Sequence, residues 1–105
     1  MGCLDESELP VLAQGLSIAL GEVAARLEVA SDLDEFLAAM ADNEKLWKSL
    51  GRERSRLGVK VPERFLDYSL EASRRGRQGL SDHEVETLIH INRFVAAALV
   101  EDTAD

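Results

Sequence analysis

The sequence predicts an all-α fold, a small antiparallel bundle of about four helices, and two observations support this. Apolar residues recur at three- and four-residue steps along four segments, the spacing of one face of an α-helix. Leu, Ala, Glu and Arg dominate, and no segment alternates apolar and polar residues as a half-buried strand does. Short links between the segments favour antiparallel neighbours.

The first predicted helix covers residues 8–29. Gly15 and Gly21 each weaken a helix by about 1 kcal/mol relative to Ala, so packing rather than propensity must hold it. Its apolar face consists of Leu9, Leu12, Leu16, Leu20, Val23 and Leu27.

The second predicted helix covers residues 32–50, with Ser31 or Asp32 as its N-cap and Glu35 as the reciprocal partner of Asp32. The segment from Gly51 to Lys60 then loses the helical period and becomes basic, and Gly58 resembles a helix stop. The apolar stripe of this helix is Leu33, Phe36, Leu37, Met40, Trp47 and Leu50.

Two further helices are predicted over residues 62–75 and 82–101. Pro62 suits the first turn of the third helix, and Ser81 with Glu84 forms a capping box for the fourth. The side chains expected inside the bundle are Trp47, Phe65, Leu88 and Val95.

Length and cysteine content indicate one domain in a reducing compartment. A chain of 105 residues is the size of a single domain, here 1–105, of which residues 1–7 and 102–105 should fray. The single thiol, Cys3, cannot form an intramolecular disulfide. The acidic start does not fit a signal peptide, Glu6 breaks a myristoylation motif, and no apolar stretch approaches the roughly 20 residues that span a bilayer. We therefore expect a cytoplasmic protein that does not enter membranes.

The charges are unevenly distributed. Residues 1–44 carry ten acids and one base, residues 45–77 carry ten bases and four acids, and residues 78–105 carry six acids and one base. A basic middle between acidic ends suits self-association or a complementary patch on a partner, and it argues against nucleic-acid binding by the whole surface.

Six arginines in the basic middle could contact RNA phosphates or an acidic groove of a protein. Aromatic residues for base stacking are not interleaved with them, and a solvated face is the simpler interpretation. These arginines are Arg52, Arg54, Arg56, Arg74, Arg75 and Arg77.

Two asparagines interrupt apolar stripes, Asn43 beside Trp47 and Asn92 beside Val95. A buried amide without a hydrogen bond costs roughly 1–3 kcal/mol, so we expect the two either to pair with each other or to cap a loop carbonyl, and to fix the register of the helices. Partner binding is the alternative.

No residues predict catalysis or a cofactor. His83, Glu86 and His90 share a helical face, but only this helix offers histidines and a closed metal site needs a fourth ligand. The sequence contains no glycine-rich phosphate loop and no supported nucleophile–base pair, so we predict that the protein is not an enzyme and binds no metal.

Three patches over residues 36–99 resemble the FlaF family of alphaproteobacterial flagellar biosynthesis regulators. Asn43, Leu46 and Trp47 match its Asn-x-x-Leu-Trp signature, and Pro62 stands where the family has Leu-Pro before an amphipathic helix. Leu88 to Leu99, which contains Ile91, Asn92 and Arg93, is similar to its closing Leu-Ile-Asp-Ile-Asn-Arg helix. The chain departs from the family where His90 replaces an acid, Ala98 replaces a glycine, and Arg52 and Arg54 stand near an expected Asp.

The resemblance implies a cytoplasmic, non-enzymatic factor required for flagellin synthesis and export, with flagellin or its translational regulator as partner. Helix one, with its two glycines, is the candidate mobile element, whose displacement would expose Leu16, Leu20 and Val23. The alternatives are a general helical adaptor and an RNA-contacting post-transcriptional regulator that uses the basic centre. The oligomeric state is left open.

Overall fold

The computed structural model describes residues 9–57 and 61–101 of the chain. These residues form α1 (Leu9–Val29), α2 (Leu33–Leu57), α3 (Glu63–Arg74) and α4 (Asp82–Glu101), with a turn of 3-10 helix over Gly76–Gln78. The described ranges contain no strand, and the predicted all-α fold is confirmed. Our expectations for Cys3, for a stop at Gly58 and for fraying at residues 1–7 and 102–105 concern positions outside the described ranges.

The helices run alternately up and down, so that α1 and α3 each lie between α2 and α4. The first half of α1 shares a buried cluster with the last turns of α4, through Ala13 and Leu99. Its second half meets the first turns of α4, through Leu27 and Leu88. Antiparallel packing of this kind follows from the short links.

The core consists of two clusters that merge in the middle of the bundle. Trp47 and Leu50 are fully buried in one cluster and Met40 lies in the other, while Leu46 and Tyr68 pack against both. The interior is therefore continuous along the bundle.

The predicted caps begin α2 and α4, with one difference at α2. Asp32 Oδ1 accepts the Glu35 backbone N–H at 2.8 Å, but the Glu35 carboxylate accepts the N–H of Ser31, at 2.8 Å, rather than that of Asp32 as predicted. At α4 the capping box is complete, since Ser81 Oγ accepts the Glu84 N–H at 3.1 Å and Glu84 Oε1 accepts the Ser81 N–H at 2.9 Å. Each cap satisfies an N–H group in the first turn that the helix itself leaves free.

Helix α2 is longer than predicted, since it continues to Leu57 instead of ending at residue 50. Leu57 lies seven residues after Leu50 and is buried in the same cluster, so one face of the extension is apolar although the segment is basic. Arg54 Nε donates to the Val61 carbonyl at 2.7 Å, which ties the extension to the segment before α3.

Three other predictions need correction. Leu33 is 66% exposed rather than part of the core, because it lies at the first position of α2, at the open end of the bundle. Phe65 is only half-buried and meets the exposed Phe94 edge to face, with ring centroids 5.5 Å apart. Pro62 caps α3 from outside the first turn, and its carbonyl accepts the N–H groups of Phe65 and Leu66.

Two glycines shape the connection between α3 and α4. A Cβ on Gly76 would lie 3.3 Å from the Met40 Cβ, so a bare α-carbon allows this turn to approach α2 closely. Gly79 has a φ of +95°, in the region that side chains disfavour.

Within the described ranges, none of the helices has the length and apolar character required to cross a membrane.

The capping carboxylate of Glu84 makes the stability of the bundle depend on pH. The Ser81 backbone N–H, and then Arg75 at 2.9 Å, hold the pKa of Glu84 below its ordinary value of 4.5. Because the pKa of Glu84 is lower in the folded state, the ionised carboxylate stabilises the fold at pH values above its ordinary pKa. This contribution is lost as the pH falls through the folded-state pKa. The free energy of unfolding should therefore drop below about pH 4.5.

We expect Glu84→Gln to be less stable than wild type at pH 6 and to lose less stability on acidification. Urea denaturation at intervals from pH 6 to pH 3 measures both proteins. The gap between their unfolding free energies should narrow with falling pH, and parallel curves would contradict the role given to the carboxylate.

Candidate functional site

A chain of hydrogen bonds runs through the interior and links three helices. The Trp47 indole N–H donates to Asn92 Oδ1 at 2.9 Å, and Asn92 Nδ2 donates to Asn43 Oδ1 at 2.8 Å. Asn43 Nδ2 donates to Ser73 Oγ at 2.9 Å, and that hydroxyl donates to the Ser69 carbonyl at 2.7 Å. We call Trp47, Asn92, Asn43 and Ser73 the buried polar chain.

The buried polar chain confirms that the two asparagines are buried with satisfied amides, and of the two expected arrangements the structure has mutual pairing. Asn43, Trp47 and Asn92 are fully buried, and Ser73 is nearly so. Water cannot replace a lost bond here without opening the core, so the four side chains hold one arrangement of α2, α3 and α4. This geometry favours the register interpretation of the asparagines.

The other residues of the resemblance also have roles in the fold. Ile91 lies in the core, and Leu46 bridges the two clusters. Arg93 is exposed on α4, and its guanidinium lies 2.8 Å from Glu28 on α1. A hydrogen bond from Arg93 is the main cause of the lowered pKa of Glu28.

Of the six candidate arginines, the five whose side chains the structure describes fall into two groups. Arg54, together with Arg52 and Arg56, lies at the end of α2 near the start of α3, whereas Arg74 and Arg75 lie at the end of α3. The 12 residues of α3 separate the two groups by about 18 Å.

Each described arginine of this set also has a local partner. Arg52 donates to Ser49 Oγ at 3.0 Å, and Arg56 lies 3.3 Å from Glu53. Arg74 donates to the Leu70 carbonyl, and Arg75 pairs with Glu84. The side chain of Arg77 is outside the part of the chain that the structure describes. The described arginines of this set therefore lie in two groups, each with local partners.

The apolar residues assigned to partner binding on α1 point inward. Leu20 is fully buried, Val23 is 5% exposed and Leu16 is half-buried. A partner reaches them only after α1 moves.

Three polar contacts hold α1 against its neighbours. Ser17 Oγ donates to the Ala96 carbonyl at 2.7 Å, Arg26 binds Asp42 on α2 at 2.7 Å, and Glu28 binds Arg93. The two ion pairs are exposed, and pairs of this kind contribute at most about 1 kcal/mol each.

The histidine face of α4 is open to solvent. His83, Glu86 and His90 are all exposed, and among the described residues no three His, Cys, Asp or Glu side chains converge as metal ligands would. Two departures from the FlaF pattern on α4 lie outside the buried polar chain, namely His90 and the half-buried Ala98.

Sequence reasoning missed the serines. Ser69 and Ser73 are buried at i and i+4 of α3, with the buried Ala72 beside them. A run of small residues on one helical face was the available signal, because it marks where two helices approach closely. Nothing in the sequence indicated which hydroxyl would meet Asn43.

Comparisons with known proteins add no identification. No protein-family model, no curated protein and no solved structure matches the chain.

The two serines of α3 allow a matched test of the buried polar chain. Ser73→Ala leaves Asn43 Nδ2 without an acceptor and should lower the free energy of unfolding by roughly 1–3 kcal/mol. Ser69→Ala is the control, since the buried Ser69 hydroxyl has no hydrogen-bond partner and its removal should be neutral or slightly stabilising. Urea denaturation measures both variants. Equal losses would show that the bond from Asn43 to Ser73 contributes nothing specific.

Proposed function

We propose that this chain is a cytoplasmic, non-enzymatic flagellar biosynthesis factor that regulates flagellin synthesis or export by binding flagellin or a flagellin regulator. The proposal rests on the resemblance to the FlaF family. The observation that carries it is that residues from separate patches of the resemblance share one hydrogen-bonded unit.

The first patch supplies Asn43 and Trp47, and the last supplies Asn92, which is 49 positions from Asn43. The middle patch begins α3 at Pro62, and α3 carries the serine that accepts from Asn43. Removing the side chain of any residue in the buried polar chain leaves a buried hydrogen-bonding partner unsatisfied. This mutual dependence supports treating the three patches as one signature rather than as three separate short matches.

The binding surface that we propose is the inner face of α1 together with the surface it covers. Flagellin that awaits export needs its apolar helical surface shielded, and an apolar groove can accept a helix. Displacement of α1 would uncover Leu16, Leu20 and Val23, three apolar side chains on one face.

The glycines of α1 support this displacement. A Cβ at Gly15 or Gly21 would meet nothing within 4 Å, so no close approach requires a bare α-carbon at either position. Each nevertheless lowers the helix propensity of α1. Detachment must also uncover the buried side chains of Leu20, Val23 and Leu27, so the glycines and the exposed ion pairs reduce only part of its cost.

Stiffening α1 tests this proposal. Gly15→Ala with Gly21→Ala should raise the stability of the fold by about 1–2 kcal/mol, and if α1 must detach it should weaken flagellin binding by roughly five- to thirty-fold. The control is Gly51→Ala in α2, where the added methyl would make ordinary contact with Leu66 at 3.5 Å. Calorimetric titration with purified flagellin measures the affinity of wild type, of the stiffened variant and of Gly51→Ala.

Two results of this titration would count against the proposal. Unchanged binding by the stiffened variant would exclude displacement of α1. Absence of flagellin binding by wild type at any salt concentration would contradict the assigned function. Binding that disappears by a few hundred millimolar salt, with RNA competing for the arginines, would instead support the RNA-contacting alternative.

A further inference from the structure

A cleft of about 850 Å³ lies at the end of the bundle where α1 ends and α2 and α4 begin. Leu27 and Ile89 form a buried floor, and the side chains of Phe36, Leu80 and Val85 are half-buried around it. Leu33, which is 66% exposed, also lines the cleft. An exposed leucine beside an apolar floor is a surface whose burial would be favourable.

The rim of this cleft carries unpaired negative charge. Asp82 and Glu86 are exposed on the first turns of α4, and neither forms an ion pair with any described residue. Arg93 also lines the rim, but Glu28 already binds it at 2.8 Å. His90 is the remaining titratable side chain among the described lining residues. Among the described lining residues, the charge left free for a ligand is therefore acidic.

The connection between α3 and α4 contributes Gly76, Gln78 and Gly79 to one wall of the cleft. Gly76, packed against Met40, and Gly79 contribute no side chains that would obstruct a ligand.

We propose that this cleft binds a helical protein segment that presents a large apolar side chain flanked by Lys or Arg. The apolar side chain covers the floor and Leu33, and the cations meet Asp82 and Glu86. An acidic segment would place like charges together at the rim. The site differs from the inner face of α1, requires no displacement of that helix, and does not depend on whether the partner is flagellin.

Two synthetic helical peptides test the proposal. Both carry Leu at every third or fourth position, and they differ in having Lys or Glu beside the leucines. Fluorescence anisotropy at fixed salt should show tighter binding of the Lys peptide to wild type. Leu33→Asp should weaken that binding at least about ten-fold, and Glu86→Lys roughly three- to ten-fold. Both positions are exposed, so the variants should fold.

Matched controls separate the cleft from general attraction to an acidic protein. Val11→Asp changes an equally exposed apolar residue, 71% accessible, at the far end of α1. Asp67→Lys makes the same charge change as Glu86→Lys on the exposed face of α3. Both controls should leave the affinity within about two-fold of wild type.

The proposal is overturned if the Glu peptide binds as tightly as the Lys peptide, if the two cleft variants bind like wild type, or if the controls lose as much affinity. The stiffened variant, Gly15→Ala with Gly21→Ala, should bind the Lys peptide normally. If it does not, the peptide binds beneath α1 rather than in the cleft. Failure of flagellin to bind would leave these outcomes unchanged, so the two proposals fail separately.

Discussion

The hydrogen bond between the amides of Asn43 and Asn92, at 2.8 Å inside the core, constrains the remainder of the bundle. Burying two primary amides is unfavourable unless their polar atoms are satisfied, and here each amide both donates and accepts. The bond connects α2 and α4, which lie diagonally opposite each other and have few other close backbone contacts. A slip of either helix by one turn would leave both amides and the Trp47 indole N–H without their hydrogen-bond partners. The apolar core alone would tolerate such a slip far better, because hydrophobic contact is not directional.

Helix α3 shares this constraint and α1 does not. Ser73 brings α3 into the buried polar chain, and Gly76 allows the following turn to approach α2. Helix α1 is held by apolar packing, by the bond from Ser17 and by two exposed ion pairs. The fold therefore divides into three helices with a specified register and one whose attachment is mainly non-directional. This division is the physical basis for proposing α1 as the element that moves.

Much of the fold could be predicted from the sequence because its signals are local. The Asp32 cap and the Ser81–Glu84 capping box each form within four residues, and helical periodicity needs only one segment at a time. Burial of the asparagines with satisfied amides was also predictable, since an amide on an apolar stripe must find a partner, but the sequence left open whether that partner was the other amide or a loop carbonyl.

Features that depend on distant neighbours were not predictable. The extension of α2 to Leu57 relies on a core contact and on a bond from Arg54 to Val61, and the basic composition concealed both. The sequence suggested one cluster of arginines. In the structure, the length of α3 separates the described arginines at the end of α2 from those at the end of α3. The cleft beside Leu33 arises from three helix ends that meet in space, so no single segment indicated it.

A double-mutant cycle on Asn43 and Asn92 tests most directly whether the buried polar chain fixes the register of α2 and α4. Urea denaturation would give the unfolding free energies of wild type, Asn43→Ala, Asn92→Ala and the double variant. If the amides satisfy each other, the double variant loses less than the sum of the single losses, with a coupling of at least about 1 kcal/mol. Losses that add to within about 0.5 kcal/mol would contradict the account, because the two helices would then be positioned without this bond.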